Sequence, residues 1–515
     1  MGKKVYVTTP IYYASGNPHI GHAYTTILAD TFASYNLLLG NEVEFLAGMD
    51  EHGQKIYEKA IAAKKEPQTF VDSICERFVD LWKKLNINYT RFIRTTDTNH
   101  CHVIQNVFTN LLKNNYLYHG EWTGLYCVQC EENYAISDTH VKDGVRYCKV
   151  GHPITERKEE TYFLKLSMFQ QWIQDYYHKQ PNFISPSSRV KEILNNFINV
   201  CLEDLSITRT KISWGVPTIE YPNHVLYVWI DALMCYLTGL GYGQKDDHLY
   251  QKYWGDLSTD IVHIIGKEIT RFHGIYWPII LKCLNIRQPS RLISHGWIIT
   301  KEGKMSKSLG NVIDPNEYIN QYGADALRYY LLKAIPTDSD GIFSHEQFIE
   351  IFNADLANNY GNFISRSLGM INKYANGIVP SINSFSLKSK SIQDEIKLLV
   401  KELPILIHNF QFINLIEKIN NIATIGNKYI EETKPWILFR ENKTQELNEF
   451  LNVVANIAVC LTYLLSPILK NGTKLAYQQY NVDCKTINLN NLADFSKLNN
   501  HKVNPSTPIY QRLSK

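Results

Sequence analysis

Apolar and polar positions alternate at the start of the chain. Val5 and Val7 flank Tyr6 behind a lysine pair, and Thr8-Thr9-Pro10 closes the run, which predicts a strand. A loop with Gly16, Asn17 and Pro18 follows. From Gly21 to Leu39 the period lengthens, with Leu28, Phe32, Tyr35 and Leu39 on one side and Gly40 as the stop, so a helix is expected. Glu42–Ala47 predicts a second strand, leading through Gly48 into another helical stretch from near Glu51. Strand–helix–strand–helix at this rhythm predicts an α/β fold built on a doubly wound parallel sheet. Between Tyr116 and Glu160 the sequence is turn-rich and cysteine-bearing, as an inserted module would be. Strands are expected again at Val225–Ile230 and Ile261–Ile265, and from about Ser344 to the C-terminus the pattern is helical almost throughout.

Composition narrows the class. At roughly 150 residues per domain, 515 residues imply three to four domains, too many for one core. Apolar residues make up 44% and charged residues 20%, which excludes a disordered chain. A net charge of +3 excludes a polycation, so any nucleic acid must be held by local patches. Ten scattered cysteines form no disulfide framework and point to a reducing, cytoplasmic location. Phe450–Leu469 is twenty residues without a charge, a length that matches a bilayer. Asn452, Asn456, Thr462, Ser466 and Pro467 interrupt it, while Leu451, Val454, Ala458, Leu461 and Leu465 recur at helical spacing. A buried bundle helix is expected there, and no membrane.

Two segments carry chemistry. Pro18-His19-Ile20-Gly21-His22 lies between the first strand and the first helix. A helix N-terminus at the carboxyl edge of a parallel sheet presents N–H groups and partial positive charge, which suit phosphate. His19 and His22 are three apart and point the same way on the first turn, and Gly21 adds no Cβ to keep a nucleotide away. Far downstream, Gly303-Lys304-Met305-Ser306-Lys307-Ser308-Leu309-Gly310 sets two lysines and two serines between glycines. Such a segment can close over a triphosphate and place ammonium groups on departing pyrophosphate. In the inserted module, Cys127 and Cys130 are followed by Cys148 and His152, four soft donors in two clusters. They fit a structural tetrahedral Zn2+ site, and a metal-free knuckle packed by Tyr126, Tyr134 and Tyr147 stays open beside it.

The pair His19–His22 and Lys304–Ser308 resembles the two signatures of class I aminoacyl-tRNA synthetases. Thr9-Pro10-Ile11-Tyr12-Tyr13, Asp50-Glu51-His52-Gly53, Tyr227-Val228-Trp229-Ile230-Asp231-Ala232 and Gly266-Lys267-Glu268 narrow this to the methionyl-tRNA synthetases of bacterial type, from Val5 to about Trp436. The resemblance implies a Rossmann-like catalytic sheet, ATP with Mg2+ as substrate, and activation of L-methionine followed by transfer to tRNA(Met). It implies phosphate contacts and catalysis by His19, His22, Lys304 and Lys307, with Gly21, Lys267 and Glu268 also at the nucleotide. It implies a methionine site of Ile11, Tyr13, Trp229, Ala232, Tyr236, Ile269 and His273, with Asp50 for the α-ammonium. Anticodon contacts fall on Asn362, Arg366 and Trp436. The family commonly has two residues between its second pair of zinc ligands; this chain has three, Lys149, Val150 and Gly151.

The expected division is then a catalytic first half over 1–115 and a zinc-knuckle-like insert over 116–160. The rest of the insert and the second catalytic half occupy 161–295, a stem-contact region carrying the lysine segment 296–343, and an all-α anticodon-binding bundle 344–515. From Ser344 on there are 18 basic and 14 acidic residues, so phosphate attraction alone cannot give specificity and stacking on exposed bases is expected. No appended oligonucleotide-binding barrel is visible, and a monomer is expected. Leucine, isoleucine and valine enzymes resemble one another in a large editing insert for which there is no room here. A cysteine enzyme would set a zinc-ligating cysteine where Thr8-Thr9-Pro10 stands. A tRNA-independent nucleotidyltransferase and a silent tRNA-binding scaffold account for one half of the features each.

Overall fold

The computed structural model describes residues 2–130, 132–134, 136–301, 303–304 and 312–513. Its central sheet has six parallel strands in the spatial order Arg91–Arg94, Glu42–Asp50, Lys4–Tyr13, Asp260–Gly266, Arg291–His295, Ile184–Ser185. Strand order reverses between Lys4–Tyr13 and Asp260–Gly266, which opens a crevice at their carboxyl ends, the usual ligand position in a doubly wound sheet. The first two strands run past their expected ends, to Tyr13 and Asp50. In the first, pairing with Glu42–Asp50 shifts register between Thr8 and Ile11, so one extra residue is accommodated around Pro10, which has no N–H to give a ladder. In the second, Gly48 lets the strand continue because a Cβ there would stand 2.5 Å from the carbonyl oxygen of Ile93.

Val225–Ile230 is not a strand. Only Val225–Leu226 pairs, with Thr208–Arg209, and the chain then turns into the helix Val228–Thr238. That helix is buried on nearly every side, so its sequence carries no amphipathic period and reads like a buried strand. Ile261–Ile265 does lie in a strand, Asp260–Gly266. The insert forms an antiparallel sheet ordered Leu205–Ser206, Thr155–Leu164, Leu117–Cys127, Glu132–Tyr134, with a hairpin of Thr139–Lys142 and Val145–Cys148 beside it. Residue 160, expected as a module edge, lies inside Thr155–Leu164.

The C-terminal region is helical through Asn362–Ala375, Leu387–His408, Phe412–Thr433, Pro435–Arg440, Thr444–Leu465 and Lys470–Tyr480. From Asn481 to Leu513 the described chain is turns with a single short helix, Cys484–Thr486, so the helical pattern expected to the terminus stops early. Asparagine accounts for this: the Asn488 and Asn491 side chains accept from nearby backbone N–H groups and hold turns instead. Thr444–Leu465 is long and apolar enough to cross a membrane, yet 89% of its apolar window is buried in the protein, as a core helix.

One buried cluster joins the sheet to the bundle. Arg328, on the helix Ala324–Ala334, is fully buried and pairs with Asp30 at 2.6 Å. Its other N–H groups donate to the carbonyls of Ile468 (2.9 Å), Pro467 (2.8 Å) and Leu85 (3.2 Å). Lys470 sits 3.3 Å from Asp30. Burial pushes the Asp30 carboxyl up, but Lys470 and Arg328 outweigh this and hold it below its ordinary value.

Candidate active site

The first helix, Ile20–Leu38, begins at the crevice and is capped by its own histidines. The Nδ1 of His19 accepts from Gly21 N–H at 3.1 Å, and the Nδ1 of His22 accepts from His19 N–H at 3.1 Å, a reciprocal capping box. The two rings lie 3.8 Å apart, as the spacing of three predicted. Gly21 has an additional reason: a Cβ there would stand 3.0 Å from Cε1 of His19, so glycine is what allows the ring to fold back as a cap.

Beside this helix mouth the crevice widens into a cavity of about 550 Å3. Ile11, Tyr13, Asp50, Trp229, Ala232, Tyr236, Ile269 and His273 all line it, together with His19, Gly21, His22 and Glu268. Sequence separates these residues by more than 200 positions, and the fold brings all twelve to one chamber. Trp229, expected in a strand, and Tyr236 both reach it from the helix Val228–Thr238. The Trp229 ring stacks on Phe272 at 3.6 Å and 6°. Asp50 is the last residue of its strand, paired in register with Tyr13, and is nearly buried.

The back of the chamber has a defined proton arrangement. Burial holds His273 down at about 4, so its ring is neutral at physiological pH. Its Nδ1 faces the carbonyl of Ile269 at 3.1 Å, and a carbonyl only accepts, so Nδ1 carries the proton. Nε2 is then the acceptor, and the Tyr236 hydroxyl donates to it at 2.7 Å. Behind Asp50 a second relay is fully buried. Asp231 accepts from His52 Nδ1 at 2.7 Å and from His100 Nε2 at 2.8 Å. Burial pushes Asp231 up, but the two imidazoles outweigh it and hold the carboxyl at about 2. This relay ties the segment after Asp50 to the helix carrying Trp229 and Ala232. The sequence reading gave His52 and Asp231 no role of their own and passed over His100.

Other expected residues are placed differently. Lys267 does not line the cavity; its Nζ pairs with the Asp340 carboxylate at 2.7 Å and lies 4.1 Å over the Trp297 ring. Glu268 accepts from Trp297 Nε1–H at 2.8 Å. His295, the last residue of the strand Arg291–His295, and Gly296 and Trp297 after it lead into the cavity wall and were missed, although a histidine, a glycine and an aromatic at a strand's carboxyl end were the signal. Lys307 and the rest of 305–311 lie outside the described residues, as does the side chain of Lys304. The flanks of that span are placed: Gly303–Lys304 pairs with Ile298–Thr300, and both Ile298 and Val312 line the cavity.

In the insert, Cys127, Cys130, Cys148 and His152 converge, with all four donor atoms within 4.8 Å of one another. Cys148 Sγ stands 3.9 Å from Cys127 Sγ and 3.8 Å from Cys130 Sγ, and His152 Nδ1 lies 3.3 Å from Cys130 Sγ. Zinc–sulfur bonds of ~2.3 Å give tetrahedral edges of about 3.8 Å, and a zinc–nitrogen bond of ~2.05 Å gives a mixed edge of about 3.5 Å. The donor set therefore fits a tetrahedral metal. The third intervening residue is absorbed by a turn in which Gly151 takes φ +92° and donates to the Cys148 carbonyl at 2.8 Å. Of the aromatic alternative, Tyr134 does pack against the buried Cys127, Cys148 and Ile154, while Tyr126 turns to Arg157 at 4.6 Å and Tyr147 stacks on His140. The apolar cluster here has only Cys127, Cys148 and Ile154 fully buried. Cys130 and Gln129 also line the cavity, so the knuckle borders the site.

In the bundle, Asn362 and Arg366 are one turn apart on Asn362–Ala375, Asn362 exposed and Arg366 partly so. Arg366 pairs with Glu431 at 2.5 Å, near the end of Phe412–Thr433. Lys434, in the left-handed region at φ 50°, turns the chain so that Trp436 enters the next helix 44% exposed.

A histidine-capped helix mouth and an aromatic chamber on one doubly wound sheet define the class I aminoacyl-tRNA synthetases. The profile described as tRNA synthetases class I (M) matches residues 5–152 and 135–368. The methionine–tRNA ligase of Ureaplasma parvum serovar 3 is 50% identical over 515 residues, covering 99% of this chain and 98% of that protein. That of Bacillus subtilis is 41% identical, over 99% of this chain and 78% of its own. The Mycobacterium tuberculosis methionyl-tRNA synthetase solved with methionyl-adenylate superposes with a TM-score of 0.94 at 33% identity, over 99% of this chain and all of that one. The chain belongs to the methionyl-tRNA synthetases of class I.

Proposed function

We propose that the cavity performs the family's reaction, ATP-dependent activation of L-methionine and its transfer to tRNA(Met), with the residues in the following roles. The thioether side chain lies among Ile11, Tyr13, Trp229, Ala232, Tyr236, Ile269 and His273, where each sulfur–aromatic contact contributes roughly 0.3–1.5 kcal/mol. Asp50 takes the α-ammonium. A methionine carboxylate oxygen attacks the α-phosphorus of ATP; the new P–O bond gives methionyl-adenylate and the old one breaks to release pyrophosphate. His19 and His22, with the helix N-terminus, stabilise charge at the phosphates, and Lys304 and Lys307 hold the departing pyrophosphate. The terminal ribose hydroxyl of tRNA then attacks the adenylate's carbonyl carbon and AMP leaves. Glu268 borders the nucleotide, and Lys267 acts through its Asp340–Trp297 contacts. Mg2+ enters with ATP.

Around this centre, Cys127, Cys130, Cys148 and His152 hold a structural Zn2+, and Asn362, Arg366 and Trp436 meet the anticodon. The chain divides into a catalytic first half over 1–115, an insert that opens at 116 and carries the knuckle and the whole strand Thr155–Leu164, a second catalytic half up to 295, and the regions 296–343 and 344–515, and works as a cytoplasmic monomer. The observation that carries the proposal is a single cavity lined by the capping histidines and by all eight residues of the methionine set. Pyrophosphate exchange with each of the twenty amino acids tests it: methionine alone gives strong exchange, and Lys307→Ala loses most of it. Exchange driven by leucine or cysteine would overturn the pocket assignment.

A further inference from the structure

Among the described residues one other group of metal-ligating side chains converges: His119, Glu160 and His224, with donor atoms within 4.8 Å of one another. The insert's sheet explains the first two. His119 stands opposite Tyr162 across the antiparallel pair Leu117–Cys127 and Thr155–Leu164, so Glu160, two residues from Tyr162, lies diagonally on the same face. His224 comes from a different element, the loop that leads through Val225–Leu226 into the helix bearing Trp229 and Ala232. The Tyr162 ring forms the floor between them, with centroids 5.3 Å from His119 and 5.4 Å from His224.

His224 is built in, while the other two side chains are accessible. It is only 3% exposed, and its Nδ1 lies 3.0 Å from Thr208 Oγ1, itself fixed by accepting from Tyr162 N–H at 2.9 Å. With Nδ1 held by Thr208, Nε2 is the nitrogen left for a ligand, the second-sphere arrangement that orients metal-bound histidines. His119 and Glu160 are exposed. Metal–ligand bonds of ~2.1 Å require tetrahedral donor spacings of about 3.4 Å. Two exposed side chains can rotate inward onto a fixed third to reach that spacing.

We propose that His119, Glu160 and His224 form a second divalent-metal site, of the two-histidine, one-carboxylate kind suited to Zn2+ or Co2+, that clamps the insert's sheet to the loop entering the pocket helix. The site is separate from the cysteine knuckle in ligands and in chemistry, having no thiolate.

Titrating the full-length enzyme with Co2+ separates the two sites. The knuckle gives an intense thiolate-to-metal charge-transfer band, and a nitrogen–oxygen site gives only weak d–d absorption. Wild-type enzyme is expected to bind one equivalent of the second type. His119→Ala and Glu160→Gln, both at exposed positions, are expected to weaken that equivalent by at least ~10-fold and leave the charge-transfer band unchanged. Cys127→Ser is expected to do the reverse. The proposal is overturned if wild-type enzyme shows no nitrogen–oxygen equivalent. It is also overturned if His119→Ala and Glu160→Gln bind that equivalent as tightly as wild type.

Discussion

Replacing Arg328 with methionine tests whether adenylate formation and tRNA recognition are mechanically joined. Arg328 is fully buried and touches three parts of the chain at once. It reaches Asp30 on the histidine-capped helix, Leu85 at the end of Pro67–Lys84, and Pro467 and Ile468 after the bundle's core helix. Removing one partner of a buried ion pair costs about 3–5 kcal/mol. Each carbonyl left without a donor adds about 1–3 kcal/mol where water cannot reach it. Lys470, 3.3 Å from Asp30, keeps the carboxylate partly paired and offsets some of this. Setting the carbonyl cost against the remaining Lys470 pairing and the entry of water leaves the ion-pair loss of about 4 kcal/mol as the working figure, roughly a 10³-fold change in the docked-to-undocked equilibrium. The polar partners of Arg328 are Asp30, Leu85, Pro467 and Ile468, all outside the chamber lining, so pyrophosphate exchange is expected to fall far less than tRNA charging measured on the same preparation. Urea unfolding is expected to shift to lower concentration and to separate into two steps. An unfolding midpoint equal to wild type, or equal losses in exchange and charging, would refute the reasoning.

His273 gives a pH signature: its ordinary value of 6.5 falls to about 4 on burial, so the unfolded chain binds the extra proton between those values and stability, complete above pH 6.5, is lost on acidification. At pH 5.5 this group alone removes about 1.4 kcal/mol; chemical unfolding at pH 7.5 and 5.5 should show a smaller pH dependence in His273→Gln, and an unchanged one sinks the assignment. Gly21→Ala places a methyl 3.0 Å from the His19 ring and should displace that cap, losing about 1 kcal/mol of helix stability and lowering kcat for exchange more than it raises the methionine KM; wild-type kcat would count against the capping argument. Cys127→Ser removes a fully buried donor of the knuckle, and bound zinc measured by mass spectrometry should fall by one equivalent relative to wild type, with local protease sensitivity in 125–155; an undiminished zinc content would show that the four donors are not the site.

The opening of the sheet was legible because its chemistry is local. Alternation at Val5–Val7, the period of Gly21–Leu39 and the stop at Gly40 each report a backbone state within a few residues. The pocket helix was not legible, since Val228–Thr238 is buried nearly all round and loses the polar face that marks a helix. Ile184–Ser185 joins the sheet edge with two residues, too few to carry any period. The relay of His52, Asp231 and His100 spans separations of 179 and 131 residues, and nothing near any of the three announces the others. The residues that line the chamber were reached through motif resemblance, because periodicity along the chain cannot say which tips of a sheet meet.

Pro10 shows how one local irregularity makes that chamber. Val5 and Val7 pack into the core layer shared with the first helix, and Tyr6 into the opposite layer, which holds the pocket helix. Strict alternation would send Ile11 to the side of Val5 and Val7. It packs instead with Tyr6 and the pocket helix, while Tyr12 turns to the first helix and meets His22 at 5.3 Å. The extra residue between Thr8 and Ile11 is what reverses the sides, since a one-residue slip exchanges the two faces of a strand. Ladder pairing with Asp260–Gly266 also ends at Thr8, so the strand's last residues stand clear of that neighbour and the crevice opens there. A proline in a central strand, which ordinarily argues against a strand, is here the reason that the capping histidines and the aromatic wall face one space.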